Sequence, residues 1–149
     1  MTIIEVKNKN VLFSLLHWTY HTTLKTLIIW VVNEVTKIVF TEGHREALHK
    51  GDVHATIPTR AIDIRSWIYA KPELLQDKIN ANWQYDPSRP DMKCAVLHAR
   101  CPKCTENNLP PVHDKCSKCE ADIKYHWHFH LQVHGNTKFI GGGNNEIHP

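Results

Sequence analysis

Apolar residues recur at helical spacing between Leu24 and Ile38, at Leu24, Leu27, Ile28, Val31, Val35 and Ile38. Steps of three and four line one side of a helix. An amphipathic core helix is therefore expected, ending near Lys37, with Ile38–Thr41 turning to a short strand before Gly43. A second helix is expected from Pro72, which suits a first helical turn, to about Gln84, burying Leu74, Leu75, Ile79 and Trp83. Elsewhere the period drops to two. Arg60–Arg65 places Ala61, Asp63 and Arg65 on one face and Ile62 and Ile64 on the other. Met92–Ala99 and Ile123–Val133 read as two further strands that pair as a hairpin. Residues 1–23 fit a strand or an irregular lead-in equally well.

The clearest alternation is Tyr125–His134, YHWHFHLQVH. As a strand it puts His126, His128, His130, Gln132 and His134 on one face. Trp127, Phe129, Leu131 and Val133 then form an apolar set for the core. A row of imidazoles above a packed sheet points to metal chemistry. Asp63, on one face of its own short strand, is costly there unless paired or metal-bound. Glu42–Pro58, with Gly43, Gly51, Asp52 and Pro58, reads as a long loop, and it carries His44, Arg45, His49 and His54. These elements make an α+β protein, a small antiparallel sheet with flanking helices.

Arg100–Asp122, at the tip of the expected hairpin, contains Cys101-Pro-Lys-Cys104 and Cys116-Ser-Lys-Cys119, eleven residues apart. Each CxxC turn aims two thiolates at one point, and two such turns satisfy a tetrahedral zinc. A structural zinc ribbon held by Cys101, Cys104, Cys116 and Cys119 is expected, with redox dithiols as the competing reading. Because all four positions are sulfur, this zinc is not catalytic.

Composition narrows the picture only in part. At 149 residues one domain is expected, 1–149, with 100–122 as an inserted ribbon and 141–149 as a flexible tail. The 18 basic and 15 acidic residues nearly balance, and no block of like charge marks a nucleic-acid arm. Twelve His and five Cys fit metal binding in a reducing compartment better than a disulfide framework. No signal peptide or membrane span is expected, which reads as a soluble cytoplasmic chain, and as a monomer. His17, His21, His44, His49, His113 and His148 read as solvated. His126 and His134 read as surface residues or supports, His98 as a residue that could orient a ligand, and Cys94 as a small buried hydrophobe.

His54-Ala-Thr-Ile-Pro-Thr-Arg60-Ala61-Ile62-Asp63, with His128-Phe129-His130 far downstream, resembles the zinc peptidases of the D-Ala-D-Ala carboxypeptidase, lysostaphin and hedgehog-like group. Gly43-His44-Arg45 resembles their "GYR" element. Trp83–Pro87 and His128–Val133 are similar to segments of small phage and bacterial members. The likeness spans about Ile38–Val133, apart from the ribbon. It implies that His54, Asp63 and His130 hold a catalytic zinc, that His128 is the acid/base or stabilising imidazole, and that Arg45 grips a substrate carboxylate or carbonyl. The chain departs from many members in two places. His54 and Asp63 lie nine apart where seven is common, and Trp127 stands three before the last ligand, where an acidic residue is common.

The function this implies is hydrolysis of peptide bonds in peptidoglycan stem or cross-link peptides, in an endolysin-like, phage-associated protein acting on the wall after release or as part of a virion. The alternatives are a non-catalytic zinc domain that binds peptide or a phage component, and a zinc-ribbon nucleic-acid binder. The ribbon's lysines come without an aromatic stacking set, so nucleic acid is not an expected partner.

Overall fold

A computed structural model describes residues 1–98 and 127–141. Its described part has three helices, α1 (Lys9–His17), α2 (Thr22–Glu34) and α3 (Pro72–Asn82). A five-stranded sheet has the order β1-β2-β3-β6-β5, with β1 at Ile3–Val6, β2 at Lys37–Glu42, β3 at Ala61–Arg65, β5 at Ala95–His98 and β6 at His128–Gln132. Two short strands, β4 (Trp83–Gln84) and β7 (Lys138–Phe139), pair separately. The α+β class is as expected, but the main sheet is mixed. β1 runs parallel to β2, because α1 and α2 lie between them and a crossover of that length returns the chain in its original direction.

The lead-in that had no readable pattern is thus a strand and a helix. Asn8 caps α1, its side chain accepting from the amides of Asn10 and Val11 at 3.0 and 3.1 Å. His21 caps α2, Nδ1 accepting from Thr23 N at 3.2 Å, so it is not merely solvated. α2 buries Leu24, Leu27 and Val31 completely. It stops at Glu34, before the expected end near Lys37, and the expected turn to a strand from Ile38 is met by β2. α3 buries Ile79, while Leu74 is 56% exposed and lies off the buried side.

Ile62 and Ile64 of β3 and Phe129 and Leu131 of β6 meet Ile38, Phe40, α2 and Ile79 in one core. Burial of an aromatic or aliphatic side chain of this size contributes about 1.5–3 kcal/mol. The opposite face of the same strands carries the polar set. β6 lies between two antiparallel neighbours, with Asp63↔His130 and Arg65↔His128 on one side and Val96↔His130 and His98↔His128 on the other. Among the described residues, no helix is long and apolar enough to cross a membrane.

Candidate metal centre

Three of the expected ligands meet. His54 Nε2 is 3.2 Å from Asp63 Oδ1 and 3.1 Å from His130 Nδ1, and the last two atoms are 3.0 Å apart. Asp63 and His130 come together as directly opposed residues of β3 and β6. His54 arrives from a 3-10 turn, Val53–Ala55, in the loop before β3.

The protons decide what this triangle is for. His54 is 1% exposed, and its Nδ1 lies 2.7 Å from the Gly43 carbonyl. A carbonyl only accepts, so Nδ1 carries the hydrogen and Nε2 of a neutral ring presents a lone pair to Asp63 and His130. A carboxylate oxygen and an imidazole lone pair at 3.2 Å need a cation between them, either a proton or a metal ion. An imidazole that donates its remote N–H to a backbone carbonyl is the usual arrangement of a metal-bound histidine. Ligand atoms about 2.0–2.1 Å from a tetrahedral zinc lie about 3.3 Å from one another. The observed edges are that separation drawn slightly inward, so the donor set fits zinc.

Without metal, the proton carries the burden. Burial opposes charge on His54, yet the hydrogen bond and negative charge of Asp63 outweigh it and raise the His54 pKa. Burial likewise opposes ionisation of Asp63, but hydrogen bonds from His130 and His54 hold its carboxyl well below the ordinary range.

The loop that delivers His54 is pinned from both ends. Asp52, 5% exposed, accepts from His54 N at 3.0 Å through Oδ1 and from Leu48 N at 3.1 Å through Oδ2. It also pairs with Arg45 Nη1. Burial works against this carboxylate, but those partners bring its pKa down to about 2. Gly43 is fixed from the other side. Tyr20 hydroxyl accepts from His44 N at 3.0 Å, and Ser14 Oγ donates to His44 O at 3.1 Å. A Cβ on Gly43 would overlap both the Tyr20 hydroxyl and Ser14 Oγ. Glycine is required here for close approach. Sequence reading missed Ser14, Tyr20, Gly43 and Asp52 as supports. Only Asp52 left a signal, an Asp two residues before a histidine whose amide it can cap.

His128 Nε2 is 3.8 Å from Asp63 Oδ2, beyond hydrogen-bond length, and its ring stacks on His98 with centroids 4.8 Å apart. His44, expected to be solvated, stacks on Trp18 at 3.8 Å and bonds Thr59 Oγ1 through Nδ1 at 2.8 Å. His17 packs edge-on against Trp18, and His49 is exposed as expected. His134 Nδ1 lies 3.3 Å from the buried Asp86, so it supports the end of β6. Cys94 is buried, and burial pushes its thiol up to about 12. The four ribbon cysteines Cys101, Cys104, Cys116 and Cys119, with His113, His126, His148 and residues 142–149 of the expected tail, lie outside the described residues.

A cavity of about 740 Å³ opens over the triangle, lined by Arg45, His54, Asp63, His128 and His130 among others. It offers a cation site, an imidazole beside it and a guanidinium within one enclosure. No protein-family model, curated protein or solved structure matches this chain.

Proposed function

We propose that this protein is a zinc-dependent peptidase of the D-Ala-D-Ala carboxypeptidase and hedgehog-like type, hydrolysing peptide bonds in peptidoglycan stem or cross-link peptides. The observation that carries the reading is the triangle of His54 Nε2, Asp63 Oδ1 and His130 Nδ1, whose edges are all 3.0–3.2 Å. Beside it stands the His128 imidazole, its Nε2 3.8 Å from Asp63 Oδ2.

Zinc held by His54, Asp63 and His130 supplies a Lewis acid for a scissile carbonyl. The residues supply the rest. His128 lies next to the triangle along β6, placed to accept a proton from an attacking water and return it to the leaving amine. Arg45 faces the same cavity. Asp52 and the Glu46 carbonyl both engage its Nη1, and a guanidinium has donors beyond those for a substrate carboxylate. Gly43 and Asp52 hold His54 in the tautomer and direction that a ligand needs. A second, structural zinc belongs to Cys101, Cys104, Cys116 and Cys119. No nucleic-acid partner is part of this reading, and the protein acts as a monomer.

One observation favours a second reading, a non-catalytic zinc domain that binds peptide or a phage component. Trp127, not a carboxylate, stands three residues before His130, so proton transfer rests on His128 alone. The test is peptide release and turbidity loss from purified peptidoglycan, with and without chelator, for the wild type and His128→Ala. Chelator-sensitive release that His128→Ala abolishes supports the peptidase. Two zinc per chain with no release from any wall preparation replaces it with the binding domain.

A further inference from the structure

Three arginines, Arg45, Arg60 and Arg89, line the cavity over the triangle, against two acidic residues, Asp52 and Asp63. Both carboxylates are committed, Asp52 to Arg45 and Asp63 to His54 and His130. Among the described residues, Arg60 and Arg89 take part in no ion pair. Arg60 leads into β3, and its carbonyl accepts from Val133 N at 2.9 Å. The Arg89 guanidinium sits 5.6 Å from the centre of the Tyr85 ring, and that ring is 5.7 Å from His134. The backbone of Arg60 and the Tyr85 ring beside Arg89 thus both neighbour the Val133–His134 end of β6, and both arginines line the cavity.

Two cations that line one cavity without a carboxylate partner attract an anion into it. A guanidinium pair is also suited to a carboxylate, which it can meet with parallel N–H donors. Tyr85 holds Arg89 by its ring face and leaves the charge uncancelled, unlike an acidic partner.

We propose that Arg60 and Arg89 form an anionic subsite, which selects peptides bearing an acidic side chain or second carboxylate at a distance from the bond at the triangle. This deepens the peptidase reading and takes from it the direction in which substrate lies. From His130 to His134 the chain advances at most about 13 Å, which is roughly four residues of an extended peptide. The acidic group is expected within that distance, on the His134 side of the triangle.

The test uses binding, so that it stands apart from cleavage. Fluorescein-labelled alanine hexapeptides carrying one Glu or one Gln at each position in turn are titrated into zinc-loaded protein and followed by anisotropy. The proteins are the wild type, Arg60→Gln, Arg89→Gln, the double variant, and Arg65→Gln. Arg65 sits over Trp67, 4.9 Å from its ring centre, and serves as the same charge change outside the cavity. The expected result is about a tenfold preference for Glu over Gln at one position, which is the scale of a charge-assisted pair. The preference falls to near unity in the double variant, weakens with salt, and survives Arg65→Gln. Circular dichroism melts confirm that each variant is folded. A Glu preference at no position, or one that the double variant keeps, overturns the subsite. Cleavage of peptidoglycan without Glu preference removes the subsite alone. A Glu preference without any cleavage keeps the subsite and removes the peptidase.

Discussion

Asp63 and His130 face each other directly across the β3–β6 ladder, Oδ1 3.0 Å from Nδ1. Two of the three proposed ligands are therefore set by strand register, and only His54 depends on a loop. Asp63→Asn keeps the shape and removes the charge. Its zinc affinity, read by competition with a chromophoric chelator, is expected to fall by about 100-fold or more, since even outer supports of a ligand are worth about 10–100-fold. His128→Ala keeps this zinc. Loss of the metal in both variants would reassign His128 as a ligand.

The pH dependence follows from the two shifted groups. The His54 pKa is raised above its ordinary 6.5, so its contribution to the metal-free fold is complete below 6.5 and is lost as pH rises through the raised value. The Asp63 pKa is depressed from 3.8, so its contribution is present above 3.8 and is lost as pH falls through the lower value. Metal-free protein is therefore best supported by this pair between about pH 4 and 6.5. Zinc needs the neutral ring, so its stabilisation grows as the His54 proton leaves. The difference in Tm between zinc-loaded and chelator-treated protein is expected to widen from pH 6 to pH 8. A difference that narrows would contradict His54 as a zinc ligand.

Gly43→Ala tests the carbonyl that aims His54. The new Cβ would overlap the Tyr20 hydroxyl and Ser14 Oγ, which costs about 1–3 kcal/mol where packing cannot yield. Urea unfolding measures that loss, and zinc affinity should fall with it because the carbonyl is displaced. Adding Ser14→Ala and Tyr20→Phe removes both overlapping oxygens and is expected to restore part of each. If the triple variant is no better than Gly43→Ala, the contact is not the cause.

Asp52→Asn separates the loop from the metal. It weakens the hold on Arg45 and on the Leu48 and His54 amides together. Loss of a buried hydrogen-bonded charge costs about 3–5 kcal/mol when its partner stays buried, and less here because Arg45 is partly exposed. Peptide release should drop in this variant more than zinc content does. The acid limb offers a second check. With its pKa at about 2, Asp52 contributes stability that is present above 3.8 and disappears as pH falls toward 2, and the variant should lack that limb.

Much of the centre was legible because strand alternation is local. Once His128 and His130 share a face with each other and Asp63 shares one with Ala61, only the register between β3 and β6 remains to be supplied. The core of α2 was legible for the same reason, since Leu24, Leu27 and Val31 repeat at helical spacing. What was hidden lies in contacts made across the chain. Nothing local in Ser14 or Tyr20 says that they hold the backbone beside His44, thirty and twenty-four residues away. α1 shows no clean stripe because it buries only Val11, while Phe13 and Leu16 are exposed. The parallel pairing of β1 likewise depends on where two helices return the chain. His44 looked solvated because its stacking partner, Trp18, is remote in sequence.

The dry side of β6 guards the wet side. Shifting the strand by one residue against β3 would turn Phe129 and Leu131 into the cleft and drive His128 and His130 into the core. Burial of two large apolar side chains therefore keeps the alternative register sparsely populated, even before any ion is bound. The ligands do not need metal to find their side of the sheet. For the proposed ion this means a nearly finished cage, so that little of its binding free energy would go into folding the strand.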